Sequence, residues 1–155
     1  MKRIMKTGVL MLAVAMMLTL GACSASSSKS YTFNVETGDT IKVKLDTSNG
    51  LSLSQKDGQF TVKKDEENIL QGNVLSMKPD ITVIWAIKGQ QGMRVLEDTE
   101  KDGNTYYMYE IEGESGTEDN FVVWIRDSKT GMLIASLAGQ EKAKEAFESL
   151  TITKE

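Results

Sequence analysis

Residues 93–137 read MRVLEDTEKDGNTYYMYEIEGESGTEDNFVVWIRDSKTGMLIASL. Met93, Val95 and then Leu96 lead into Lys101-Asp102-Gly103-Asn104, and Tyr107, Tyr109 and Ile111 alternate with other residues on the return. Asp-Gly between two such runs marks a hairpin, because a two-residue turn whose twist matches the strands needs positive φ at both central positions. The acidic stretch Glu112 to Asn120 reads as a loop. Beyond it, Phe121, Val123 and Ile125 fall on one face of a strand while Val122 and Trp124 fall on the other. A strand apolar on both faces belongs in the middle of a sheet, covered on each side. The turn Asp127-Ser128-Lys129-Thr130-Gly131 then sends the chain back through Met132, Leu133, Ile134 and Leu137.

The pattern on either side agrees. Downstream, a helix is expected over 140–149, where Ala143, Ala146, Phe147 and Leu150 recur at helical spacing and Lys and Glu fill the other positions. Leu150 and Ile152 fit a last strand. Upstream, Tyr31, Phe33 and Val35, then Ile41, Val43 and Leu45, alternate around Gly38-Asp39, and short strands follow at Leu51–Leu53 and Phe60–Val62 around Asp57-Gly58. Asp65 to Asn68 reads as a polar loop before an apolar segment from Ile69 to Met77. Residues 78–88 combine β-branched strand formers with cap-like residues and Ile81, Ile84 and Trp85 at helical spacing, which favours a short helix. The fold class expected is α+β, an antiparallel β-sheet with one or two helices packed on it.

The first thirty residues are of another kind. Lys2, Arg3 and Lys6 precede an uncharged apolar run from 7 to 20, long enough for a signal sequence and shorter than the roughly 20 residues that span a bilayer. Leu20-Gly21-Ala22-Cys23 follows, and Cys23 is the one cysteine of the chain. This arrangement resembles the signal of bacterial lipoproteins. The resemblance implies cleavage before Cys23, a diacylglyceryl group on its thiol, and a mature protein held on a membrane by acyl chains. The chain then divides into a signal peptide at 1–22, a lipidated cysteine with a serine-rich tether at 23–30, and a single domain at 31–155. Ser24 rather than aspartate after the cysteine resembles outer-membrane sorting where a cell has two membranes; with one, the domain faces outward.

The run FVVWIRDSKTGMLIASLAG followed by EKAKEAFESLTI also resembles the C-terminal part of the PsbP-like fold, found in an extrinsic photosystem II protein and a eukaryotic import factor. The resemblance implies an α-β-α sandwich with binding and assembly roles, and it carries over no catalytic residues.

Composition narrows the chemistry. The chain has no histidine, which removes Ser-His-Asp and Cys-His catalysis and histidine-ligated zinc, and the lone cysteine is committed to the anchor. No glycine-rich phosphate loop occurs, and no cofactor is implied. Removing Lys2, Arg3 and Lys6 from the 18 basic residues leaves 15 against 22 acidic ones, a net charge of −7 that argues against nucleic acid as a partner. Carboxylate pairs such as Glu97 with Glu110, or Glu112 with Glu114, offer acid-base chemistry but read first as solvated surface. Glu114, Glu118, Asp119 and Asn120 form an oxygen-rich cluster of the kind that suits calcium, with an exposed loop as the plainer explanation. The EF-hand-like start at Asp98, Glu100 and Asp102 fails at Tyr109, where a bidentate glutamate is needed.

Trp85, Tyr106 and Trp124 are the candidate ligand or partner contacts, since flat aromatic faces bury area at low entropic cost. The reading that results is a non-enzymatic, membrane-anchored envelope lipoprotein that binds an envelope protein or a small ligand. The alternative is a small carboxylate-dependent hydrolase of cell-wall glycan. In cells fed a labelled lipid precursor, wild-type protein should take up label and Cys23→Ser none; equal labelling of both would remove the anchor.

Overall fold

A computed structural model describes residues 27–76, 86, 89 and 91–155. Its ten strands are β1 (Ser28–Asn34), β2 (Thr40–Asp46), β3 (Leu51–Lys56), β4 (Gln59–Lys64), β5 (Glu67–Leu75), β6 (Met93–Lys101), β7 (Asn104–Gly113), β8 (Gly116–Trp124), β9 (Gly131–Ser136) and β10 (Leu150–Lys154), and α1 is Gln140–Glu148. The strands form two antiparallel sheets. One has seven strands in the order β3-β4-β5-β9-β8-β7-β6, and the other has three, β1-β2-β10.

The expected α+β class, an antiparallel sheet with a helix packed on it, is what the chain forms. The second sheet was not legible, because alternation says which residues share a face and not which sheet a strand joins. Cys23 and Trp85 lie outside the described residues. So does the choice between helix and strand over 78–88, apart from Ala86, which is helical.

Asp57-Gly58 and Asp102-Gly103 make the two-residue turns the sequence called for, with φ of 52° and 80° in the first and 54° and 81° in the second. Two expected loops are shorter than read. Lys64 pairs with Glu67 around a turn at Asp65-Glu66, and Gly113 pairs with Gly116, so the acidic stretch is the end of β7, a tight turn and the start of β8. Polar residues pair their backbones as well as apolar ones do where their side chains reach solvent, so charge alone does not end a strand. The same holds for the tether: Ser28, Lys29 and Ser30 pair with Asp46, Leu45 and Lys44 and belong to β1.

The main core fills the space between the inner face of the long sheet and a layer made of the short sheet and α1. Ile41, Val43, Leu45, Leu150 and Ile152 face Leu53, Phe60, Val62, Met108, Phe121, Met132 and Ile134 across it, with Ala143, Ala146 and Phe147 from α1. Phe147 stacks on Phe121 with centroids 4.2 Å apart and planes 12° off parallel. Bulges adjust the alternation at two places. One between Val62 and Lys63 opposite Asn68 and Leu70 lets both Ile69 and Leu70 reach the core. The other skips Leu96, so that Val95 packs on the outer face while Leu96 packs on the main core.

Phe60 lies across Gly72, its partner on β5. A Cβ at Gly72 would stand 2.1 Å from two carbons of that ring. Gly72→Ala should therefore destabilise the domain by about 1–3 kcal/mol through overpacking. Phe60→Leu in the same chain should make that substitution cheaper by more than about 0.5 kcal/mol in urea unfolding; strictly additive effects would show that the ring is not the obstacle.

Candidate functional site

Four residues form a polar row across adjacent strands on the inner face of the long sheet. Arg94 on β6 pairs in register with Glu110 on β7, Glu110 with Asp119 on β8, and Asp119 with Ser136 on β9. The Arg94 Nε lies 2.7 Å from Glu110 Oε1, and the arginine is largely exposed whereas the Glu110 side chain is only 15% exposed. Asp119 is 2% exposed, and its Oδ1 finds no hydrogen-bond partner among the described residues. Burial, and after it the charge of Glu110, pushes the Asp119 carboxyl above its ordinary pKa. Ser136 turns its Oγ to the backbone N–H of Ala138, 3.2 Å away, as the chain leaves β9 for α1.

The carboxylate pairs read from the sequence are not the ones the fold assembles. Glu97 accepts hydrogen bonds from Lys144 on α1 and, at 3.1 Å, from the Tyr106 hydroxyl. Lys144, first of these, holds Glu97 below its usual range. Glu97 and Glu110 are thus each turned to a cation of their own. Glu112 accepts from Thr117 Oγ1 at 2.9 Å, which settles it in the β7–β8 hairpin.

Strand alternation also divides the oxygen-rich cluster weighed for calcium. Glu118 and Asn120 point outward, joined by Asn120 Nδ2 donating to Glu118 Oε1 at 2.9 Å, while Asp119 points inward. Among the described residues no three histidine, cysteine or carboxylate side chains come together as metal ligands.

Of the aromatic candidates, Tyr106 is interior. It is 4% exposed, its ring centroid lies 4.8 Å from that of Phe147, and burial, helped by Glu97, pushes its hydroxyl up to about 12. It anchors α1 and offers a ligand nothing. Trp124 sits on the outer face, where its ring meets Tyr107 edge-on at 5.2 Å. Met93, Val95, Ile111 and Leu133 join these two rings in a half-buried stripe over Tyr109 and Val122.

One constellation had no counterpart in the sequence reading. Asp39, in the β1–β2 turn, accepts from the backbone N–H of Lys129 at 2.7 Å and from Thr130 Oγ1 at 2.9 Å, and its other oxygen pairs with Lys154 at 3.0 Å. Thr37 meets Thr130 hydroxyl to hydroxyl at 2.7 Å. This clasp ties one end of the short sheet, where the β1–β2 turn meets the end of β10, to the turn before β9. In sequence Asp39 follows Gly38 and reads as a strand breaker; partners 90 or more residues away leave no local trace.

No family model matches the chain, and no curated protein matches it.

The Lys154 hydrogen bond, with the Lys129 N–H next, holds Asp39 at about 2 against an ordinary value of 3.8. A carboxyl lowered on folding contributes stability that is complete above the unfolded pKa and is lost as pH falls through the folded one. Asp39→Asn should thus melt below wild type at neutral pH, with the gap closing between about pH 4 and pH 2. A gap of equal size at both ends of that window would count against the clasp.

Proposed function

We propose that the chain is a lipid-anchored envelope protein whose domain is a non-enzymatic binding module, docking an envelope partner on the outer face of its seven-stranded sheet. The observation that carries this reading is the stripe of Trp124, Tyr107, Met93, Val95, Ile111 and Leu133, half-buried over Tyr109 and Val122. Aromatic residues and methionine are enriched at protein interfaces relative to the rest of the surface, where a flat ring supplies contact area at little entropic cost. A strand surface holds such residues in fixed positions. The arrangement suits an apolar, shape-matched protein surface better than a freely soluble ion.

Anchoring through Cys23, as the N-terminal sequence suggests, would keep that face among other envelope proteins on the extracytoplasmic side. The hydrolase alternative needs two acids converging on a concave site. Glu110 and Asp119 do converge, but at 2% exposure Asp119 is closed to a glycan chain.

A photo-crosslinking residue in place of Leu133 in the full-length protein, activated in native membranes, should give one dominant adduct with an envelope protein. Trp124→Ser in the same chain should cut its yield at least tenfold, in line with loss of an interface hot spot. An adduct unchanged by that substitution would move the contact elsewhere, and release of fragments from purified cell-wall glycan that stops in Glu110→Gln would favour the hydrolase.

A further inference from the structure

Strand β9 is bracketed by two carboxyls in opposite circumstances. At its start stands Asp39, with Lys129, Thr130 and Lys154 around it. At its end, opposite Ser136, stands Asp119, with an oxygen that finds no donor among the described residues. An ionised carboxylate buried without donors is strongly unfavourable, and such a group keeps its proton instead. The residue directly across from Asp119 on the same face is another carboxyl, Glu110, and side chains so placed have Cβ atoms about 4.5–5.5 Å apart.

Of the charged groups on the neighbouring elements, only Arg94 reaches the pair, and it is taken by Glu110, which leaves Asp119 without a cation among the described residues. Arg94 on β6 reaches Glu110 from the exposed side. On β9 the facing residue is Ser136, which does not titrate. On β8 itself, Glu118 is engaged with Asn120 on the other face. From α1, Lys144 is taken by Glu97 and Lys142 by Glu67, while Glu145 lies near Lys64.

We infer that Asp119, set beside Glu110, is a proton-holding carboxyl, a latch that keeps the β7–β8–β9 end of the long sheet closed while the proton is bound and loosens it when the proton leaves. The raised position of the Asp119 carboxyl, caused first by burial and then by Glu110, agrees with this. The sign is opposite to that of the Asp39 clasp. A carboxyl raised on folding contributes stability that is complete below the unfolded pKa and is lost as pH rises through the folded one. Acid therefore opens one end of β9 and closes the other.

The test is an NMR titration of the full-length, isotope-labelled chain in neutral detergent. The Asp119 side-chain carbon should titrate above 3.8, the ordinary aspartate value. Amide protection factors at residues 117–120 and 134–136, which divide out the intrinsic pH dependence of exchange, should fall by about tenfold per pH unit between the unfolded and folded pKa values. In Asp119→Asn the same factors should stay level across that window. Titration of Asp119 at or below 3.8, or the same pH profile in wild type and Asp119→Asn, would overturn the inference. If Asp119→Asn does not fold, the wild-type titration still decides, and Glu110→Gln should lower the Asp119 pKa if the two share a site and leave it in place if they do not.

Discussion

The stacking of Phe147 on Phe121 is the contact from which the second layer of the molecule follows. The two rings lie 4.2 Å apart and nearly parallel, with Tyr106 tilted against both. They fix where α1 crosses the long sheet. One residue, Ser149, separates α1 from β10, so a helix placed by Phe147 also places Leu150 and Ile152. Only from that position can β10 pair with β2 and complete the short sheet. Truncating such a ring costs about 3–5 kcal/mol in a typical core. Here the loss would extend beyond the cavity, because the short sheet would lose the register of its third strand.

Around this apolar centre the polar groups are distributed by what they can reach. Asp39 has partners on three sides and is held ionised; Tyr106 is buried but finds Glu97; Glu97 has Lys144. Asp119 alone of these is buried with an oxygen unpartnered among the described residues. Charged pairs on the surface, such as Lys142 with Glu67 and Lys42 with Glu155, are open to solvent and contribute little each. The polar interactions that matter to the architecture are those that bridge layers away from solvent, as at Asp39.

Much of this was readable from residue order, for a physical reason. Strand alternation and Asp-Gly turns are local signals, so the β3–β4 and β6–β7 hairpins, the two-faced strand with Phe121 and Trp124, and the helix carrying Ala143 and Phe147 stand where the sequence puts them. What was not readable depends on distance along the chain. Nothing near Leu150 says that it joins β2, and nothing near Asp39 announces Lys129 or Lys154. The acidic residues misled in a different way. Glu118, Asp119 and Asn120 look like one solvated cluster, yet in a strand every second residue turns inward, and Asp119 is the one that does. Tyr106, next to Tyr107, was separated from it by the same rule. One became part of the main core and the other part of the half-buried outer face.

The outer edge of β10 shows how side chains can finish a sheet. The carbonyls of Leu150 and Ile152 turn away from β2, and they are met by Lys101 Nζ and by Asn104 Nδ2, the latter at 2.7 Å, from either side of the β6–β7 turn. Asn104 uses its other atom to accept from the Arg126 N–H at 2.9 Å. An uncovered strand edge is a template on which another chain can zip. At β10 two of the acceptors such a chain would need are already engaged, so two copies brought side by side would have to break a lysine and an asparagine contact before the first intermolecular rung could form. Between copies of this chain, that is a barrier to polymerisation written into the turn of a neighbouring hairpin.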